Sequence, residues 1–162
     1  MVFFRGDFLG VAWSAMTQKI ESGIFTGRPF GGLGILVKKS LNVKVMPIAV
    51  HPQCRCAVIL CTFCSGYKML VVIVYFPCQS NDRNYKSELL ECLGFIEQNI
   101  ASCQADSVMI LGDMNFEWKA NDKGYCLFKS FADEFNYTCC SDLTTNNITY
   151  ITFKKRLAVA QL

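Results

Sequence analysis

The chain has 162 residues, 52% of them hydrophobic, with 16 Lys and Arg against 13 Asp and Glu for a formal net charge of +3. That length and apolar content suit one domain with a real core and exclude a disordered composition, while the mild positive charge permits a nucleic-acid partner without requiring one. No apolar run is long enough to span a bilayer, and the start Met1-Val2-Phe3-Phe4-Arg5-Gly6-Asp7 has no basic region before a long apolar stretch, so an intracellular protein without a signal peptide is expected.

Residues 8–13 read as a short strand. Ser14 is a fair N-cap for a helical turn through Met16, Ile20 and Glu21. The glycines at 23, 27, 31, 32 and 34 mark a loop and a strand entry, and 34–38 reads as a strand closed by Lys38-Lys39. Residues 43–50 and 55–63 read as two more strands, with Pro52-Gln53 in the turn between them. The run Met69-Leu70-Val71-Val72-Ile73-Val74-Tyr75, ended by Pro77, is apolar without alternation, which predicts burial on both faces.

The period then changes. Leu89, Leu90, Leu93, Phe95, Ile96 and Ile100 fall mostly on one helical face, with Glu88, Glu91 and Glu97 opposite. Ser80-Asn81-Asp82 is a start signal for that helix.

Ser107-Val108-Met109-Ile110-Leu111 follows as a buried strand and runs directly into Gly112-Asp113-Met114-Asn115. A carboxylate and an amide are thus delivered where a strand ends, the place where layered α/β folds bind ligands. An Asp that accepts a proton from water, beside an Asn that donates to a phosphate oxygen, makes half of a phosphodiester-cleaving site. On the motif alone the simpler reading stands first, an Asx-type turn in which both side chains cap backbone.

Residues 124–135 read as a second helix whose aromatic stripe, Phe128, Phe131 and Phe135, is core rather than a base-stacking platform. Residues 137–143 and 148–153 look like terminal strands. Strands first, then helix–strand–helix–strand, predict a mixed α/β domain with sheets covered by helices.

The ten cysteines lie mostly in apolar segments and read as reduced core thiols. His51, Cys54, Cys56, Cys61 and Cys64 offer a crowded zinc alternative. Cys56 and Cys61 are bridged by Ala57-Val58-Ile59-Leu60, a strand-like run without the turn chemistry of a zinc loop, so a core strand is the preferred reading. His51, before Pro52, reads as a surface turn residue.

Four segments line up in order: Gly27-Arg28-Pro29-Phe30-Gly31-Gly32, then Leu33-Gly34-Ile35-Leu36-Val37-Lys38-Lys39, then Val74-Tyr75-Phe76-Pro77-Cys78, then Ile110-Leu111-Gly112-Asp113-Met114-Asn115. Together they resemble the endonuclease/exonuclease/phosphatase superfamily, and within it the endonuclease domain of LINE-type (non-LTR) retrotransposons, from about residue 8 to about residue 150. The resemblance implies an α/β (α+β) fold, a four-layered sandwich of two mixed β-sheets flanked by helices. It implies metal-dependent hydrolysis of a phosphodiester, with Mg²⁺ or Mn²⁺ as cofactor, DNA as partner and access to the nucleus.

By position, the resemblance makes Asp113 the residue that orients or deprotonates water. Asn115 supports that Asp and the phosphate, and the Tyr75 phenol contacts the scissile phosphate. Arg28, Lys38 and Lys39 are candidate phosphate contacts, and the terminal Lys154-Lys155-Arg156 run is read as solvated charge.

The family's Gln-Glu pair, which carries its principal metal ligand, has no counterpart before Phe8, and Glu21 is not assigned to that role. The family's closing Asp-His segment has no counterpart after Thr149-Tyr150. Cys78 stands where the family often has Asn. The expectation is one partial domain over residues 1–162 that lacks first strands and a last core strand. It would be a truncated copy with an uncovered sheet edge and little or no activity. Two alternatives stay open: a non-catalytic nucleic-acid binder, and a phosphodiesterase of the same superfamily acting on a small phosphate ester.

Overall fold

The apolar runs become strands of two sheets in a computed structural model that describes residues 2–14, 32–79 and 84–138. The smaller sheet is antiparallel, with β1 (Val2–Arg5), β2 (Phe8–Trp13) and β3 (Leu33–Lys38) side by side in chain order. β1 was not expected, because four residues are too few to show a period. It nevertheless pairs along its whole length, from Val2 opposite Val11 to Arg5 opposite Phe8.

The larger sheet has the order β4 (Lys44–Val50), β5 (Cys56–Thr62), β6 (Lys68–Tyr75) and β7 (Ser107–Asp113). Its first three strands are antiparallel, and β7 lies parallel to β6. Parallel neighbours need a long crossover, which α1 (Tyr85–Ser102) supplies, and α2 (Lys123–Glu134) follows β7. The architecture is α+β, as expected.

The expected helical turn after Ser14, the start signal at 80–82 and the strand at 148–153 lie outside the described residues. Of 137–143, Tyr137 and Thr138 follow α2 outside any strand, and the remainder lies outside them. Among the described residues no helix is long and apolar enough to cross a membrane.

Strand periodicity sorts the core into two layers. One face of the larger sheet carries Cys56, Val58, Leu70, Val72 and Val74, packed under Leu89, Cys92 and Ile96 of α1 and Phe128 and Phe131 of α2. The other face carries Ala57, Ile59, Cys61, Val71 and Ile73, packed against Leu33 of β3 with Trp13 and Ile35 at its margin. Leu70 to Val74 are all buried, so the unalternating run of β6 is covered on both faces.

The same alternation separates the cysteines of the zinc alternative. Cys56 belongs to the helix-side cluster and Cys61 to the inter-sheet cluster, so the sheet itself lies between them. Cys64 is exposed and turns its thiol to the Asn42 carbonyl oxygen, 3.1 Å away.

His51 departs from expectation. It is in the β4–β5 turn, but it is buried, with 7% of its surface exposed. Its ring stands edge-on to Phe95 of α1, with centroids 5.4 Å apart, and its Nδ1 accepts from the Gln53 backbone N–H at 3.3 Å. The Gln53 amide occupies a ring nitrogen and the Phe95 contact removes water, so a residue whose place before Pro52 suggests a surface turn is held inside. Burial lowers the His51 pKa, helped by Arg55 and opposed by Glu91.

The unfolded chain therefore takes up a proton at higher pH than the folded one. The His51 contribution to stability is intact above the ordinary value of 6.5 and is lost as pH falls below it toward the depressed folded value. Urea unfolding across that interval is expected to show stability declining on acidification, and His51→Gln is expected to flatten the decline. An equal slope in the variant would contradict this.

Candidate functional site

β6 and β7 end side by side. Their register runs from Met69 opposite Ser107 to Tyr75 opposite Asp113, so the phenol and the carboxylate leave adjacent strands at the same level, about 4.8 Å apart at the backbone. Tyr75 and Leu111 both pack at the margin of the inter-sheet cluster, and the period of two carries Asp113 to that same side. The ends are tied by the Phe76 N–H, which donates to the Asp113 carbonyl oxygen at 2.9 Å.

Each residue of the Gly-Asp-x-Asn turn has a local reason. Gly112 faces Val74 with φ 137°, and a Cβ there would lie 2.0 Å from the Val74 carbonyl oxygen. Met114 and Phe116 are buried in the helix-side core. The alternate residues, Asp113 and Asn115, stay half-buried at the rim. Asn115 adopts φ 52°, a left-handed conformation that Asn tolerates better than most residues.

The Asp113 Oδ1 accepts from the Asn115 backbone N–H at 3.2 Å, and the Asn115 Nδ2 donates to the Phe76 carbonyl oxygen at 2.7 Å. This is the Asx-type turn that the motif alone favoured. The amide bond to Phe76 uses one of the two hydrogens on Nδ2. The turn therefore fixes the Asp113 and Asn115 side chains together beside the end of β6.

An aromatic clamp that the sequence did not reveal holds this rim. Phe76, just after β6, stacks on Phe116, just after β7, with centroids 6.4 Å apart, and Phe128 of α2 lies against both, at 6.0 and 5.7 Å. Phe116 and Phe76 come from segments 40 positions apart in the chain, so no local period links them.

Arg55 was also missed as a rim residue. Its carbonyl oxygen accepts from the Tyr75 N–H at 2.8 Å, and its guanidinium carbon lies 5.7 Å from the centre of the Tyr75 ring. No motif in the sequence marks it; only the β5–β6 register does.

Lys38 and Lys39 are placed by the smaller sheet. Lys38 closes β3 opposite Phe8, and the Lys39 ammonium donates to the Gly6 carbonyl oxygen at 2.7 Å. This pair therefore belongs to the β1–β2 turn. Arg28, Glu21 and the 154–156 run lie outside the described residues. The sole histidine of the chain spends its contacts on Phe95, Gln53 and Cys56.

Among the described residues no group of three or more His, Cys, Asp or Glu is placed to hold a metal ion. The rim offers a carboxylate, an amide and a phenol. Such hard oxygen donors suit Mg²⁺ or Mn²⁺ carried mainly by water and substrate phosphate, and they do not make an all-protein cage. No protein-family model and no curated protein matches the chain.

Two glycine substitutions are expected to move stability in opposite directions. Gly112→Ala forces the Cβ into β6 backbone and is expected to cost more than about 3 kcal/mol. Gly94→Ala, on the exposed side of α1 with nothing within 4 Å of the added atom, is expected to gain about 0.5–1 kcal/mol. Denaturant unfolding of both variants checks the pair.

Proposed function

We propose that this chain is a nucleic-acid-binding phosphodiesterase domain of the non-LTR retrotransposon endonuclease type, with DNA as its partner and little or no cleavage by itself. The observation that supports the reading is the register of β6 and β7, which sets Tyr75 opposite Asp113 with Asn115 in the same turn. A DNA target is favoured over a small phosphate ester by the Gly27–Gly32 segment and its resemblance. Reaching chromosomal DNA would place the protein in the nucleus.

The chemistry follows from the side chains. A phosphodiester bound across the rim would meet the Tyr75 phenol, which donates to a non-bridging oxygen and balances charge as it builds there. Asp113, its carboxylate steadied by the Asn115 N–H, orients an attacking water and accepts its proton as the water oxygen bonds to phosphorus; the P–O bond to the leaving sugar oxygen breaks, and that oxygen takes a proton from solvent. Asn115 supplies its remaining amide hydrogen and keeps the turn closed. A bound Mg²⁺ would neutralise phosphate charge. Low turnover is expected, because the resemblance offers no counterpart here of the family's Gln-Glu pair or its closing Asp-His segment, and members of a cooperating set are not independent.

Incubation with supercoiled plasmid and Mg²⁺ tests this. DNA binding that weakens steeply with salt is expected, with slow nicking at most. Any Mg²⁺-dependent nicking is expected to vanish in Asp113→Ala. Rapid turnover would overturn the low-activity part, and nicking untouched by Asp113→Ala would overturn the site. A protein that neither binds nor nicks DNA would overturn the reading as a whole.

A further inference from the structure

The candidate site contains a cation that neither the motifs nor the resemblance assigns. Arg55 precedes β5 and faces the end of β6. Its carbonyl oxygen takes the Tyr75 N–H at 2.8 Å, and its guanidinium lies over the Tyr75 ring at 5.7 Å from the centroid. Tyr75 in turn is opposite Asp113. A permanently charged group with five donors is thus fixed to the phenol at the Asp113 end of the sheet. Lys38 and Lys39, by contrast, belong to the β1–β2 turn.

The anionic contact of Arg55 is loose. Its Nη2 lies 3.8 Å from Oε2 of Glu88 in the first turn of α1, and the two side chains are 27% and 33% exposed. That distance exceeds a hydrogen bond, so the pair rests on charge attraction without a directed bond. A phosphate offers the same guanidinium two parallel charge-assisted hydrogen bonds. The Tyr75 ring, its centre 5.7 Å from the guanidinium carbon, is a partner that does not depend on which anion the arginine meets.

We infer that Arg55 is a backbone-phosphate-binding residue of the nucleic-acid site, held on Tyr75 and exchanging Glu88 for a phosphate beside the one at Asp113. This rests on the proposed nucleic-acid function and adds a named contact to it. Glu88 then acts as a competitor that occupies the guanidinium when no nucleic acid is bound.

Fluorescence anisotropy with a labelled DNA duplex, titrated at several salt concentrations, tests the assignment. Arg55→Ala is expected to lower the slope of log affinity against log salt by about 0.9, the loss of one phosphate contact. Arg55→Lys is expected to keep most of that slope. Glu88→Gln is expected to tighten binding at low salt by more than Glu97→Gln does, Glu97 being an exposed α1 glutamate that controls for net charge. A purely structural Arg55–Glu88 pair predicts the reverse, with Glu88→Gln neutral or weakening, and that result overturns the inference even if Arg55→Ala is too unstable to measure. An unchanged slope in folded Arg55→Ala overturns it too. If the unaltered protein shows no salt-dependent binding, the nucleic-acid reading falls first and this assignment with it. Binding by the unaltered protein with an unchanged Arg55→Ala slope rejects Arg55 alone.

Discussion

At residue 112 the backbone of β7 runs so close to β6 that a Cβ would sit 2.0 Å from the Val74 carbonyl oxygen. That approach, open only to glycine, lets the last pair of the parallel ladder form. Tyr75 then stands opposite Asp113, and the Phe76 N–H reaches the Asp113 carbonyl oxygen. One more bond, from the Asn115 amide to the Phe76 carbonyl oxygen, closes the turn back onto β6. The stacked pair of Phe76 and Phe116 sits directly beneath. The rim is therefore not a loop decorated with polar groups. It is the continuation of a two-strand ladder, and its side chains inherit the rigidity of the core.

In Gly-Asp-x-Asn a turn-capping role and a binding role are compatible. Asp113 and Asn115 cap backbone, as a turn requires. The same bonds hold a carboxylate and an amide half-exposed beside a phenol, as a binding site would require. Satisfying a backbone donor with a site carboxylate fixes its rotamer at little cost, because the turn needed that hydrogen bond in any case. A substitution at either position consequently disturbs both roles, and loss of activity there must be read together with stability.

Local pattern carried most of the fold. The continuous apolarity of β6, the helical spacing of Leu89, Leu93 and Ile96, and the Leu111-Gly112 strand end each follow from short-range chemistry. What escaped notice depended on pairs far apart in the chain. β1 is too short to show a period and exists because β2 offers it an edge. His51 looked exposed beside Pro52, and Phe95, from an element 44 positions later, is what covers it. Arg55 carries no motif and becomes a rim residue only through its register with Tyr75. The lysines at 38 and 39 show the same limit, since sequence proximity to an apolar strand does not say which end of which sheet they occupy.

The most direct test is to titrate the protein with a short DNA duplex and follow backbone amide resonances by NMR. The account predicts saturable shifts that move together at Arg55, Tyr75, Phe76, Asp113 and Asn115, residues drawn from three separate segments and joined only by the ladder. Shifts confined to the Lys38–Lys39 end of the smaller sheet, or shifts at Tyr75 without Asp113, would contradict it.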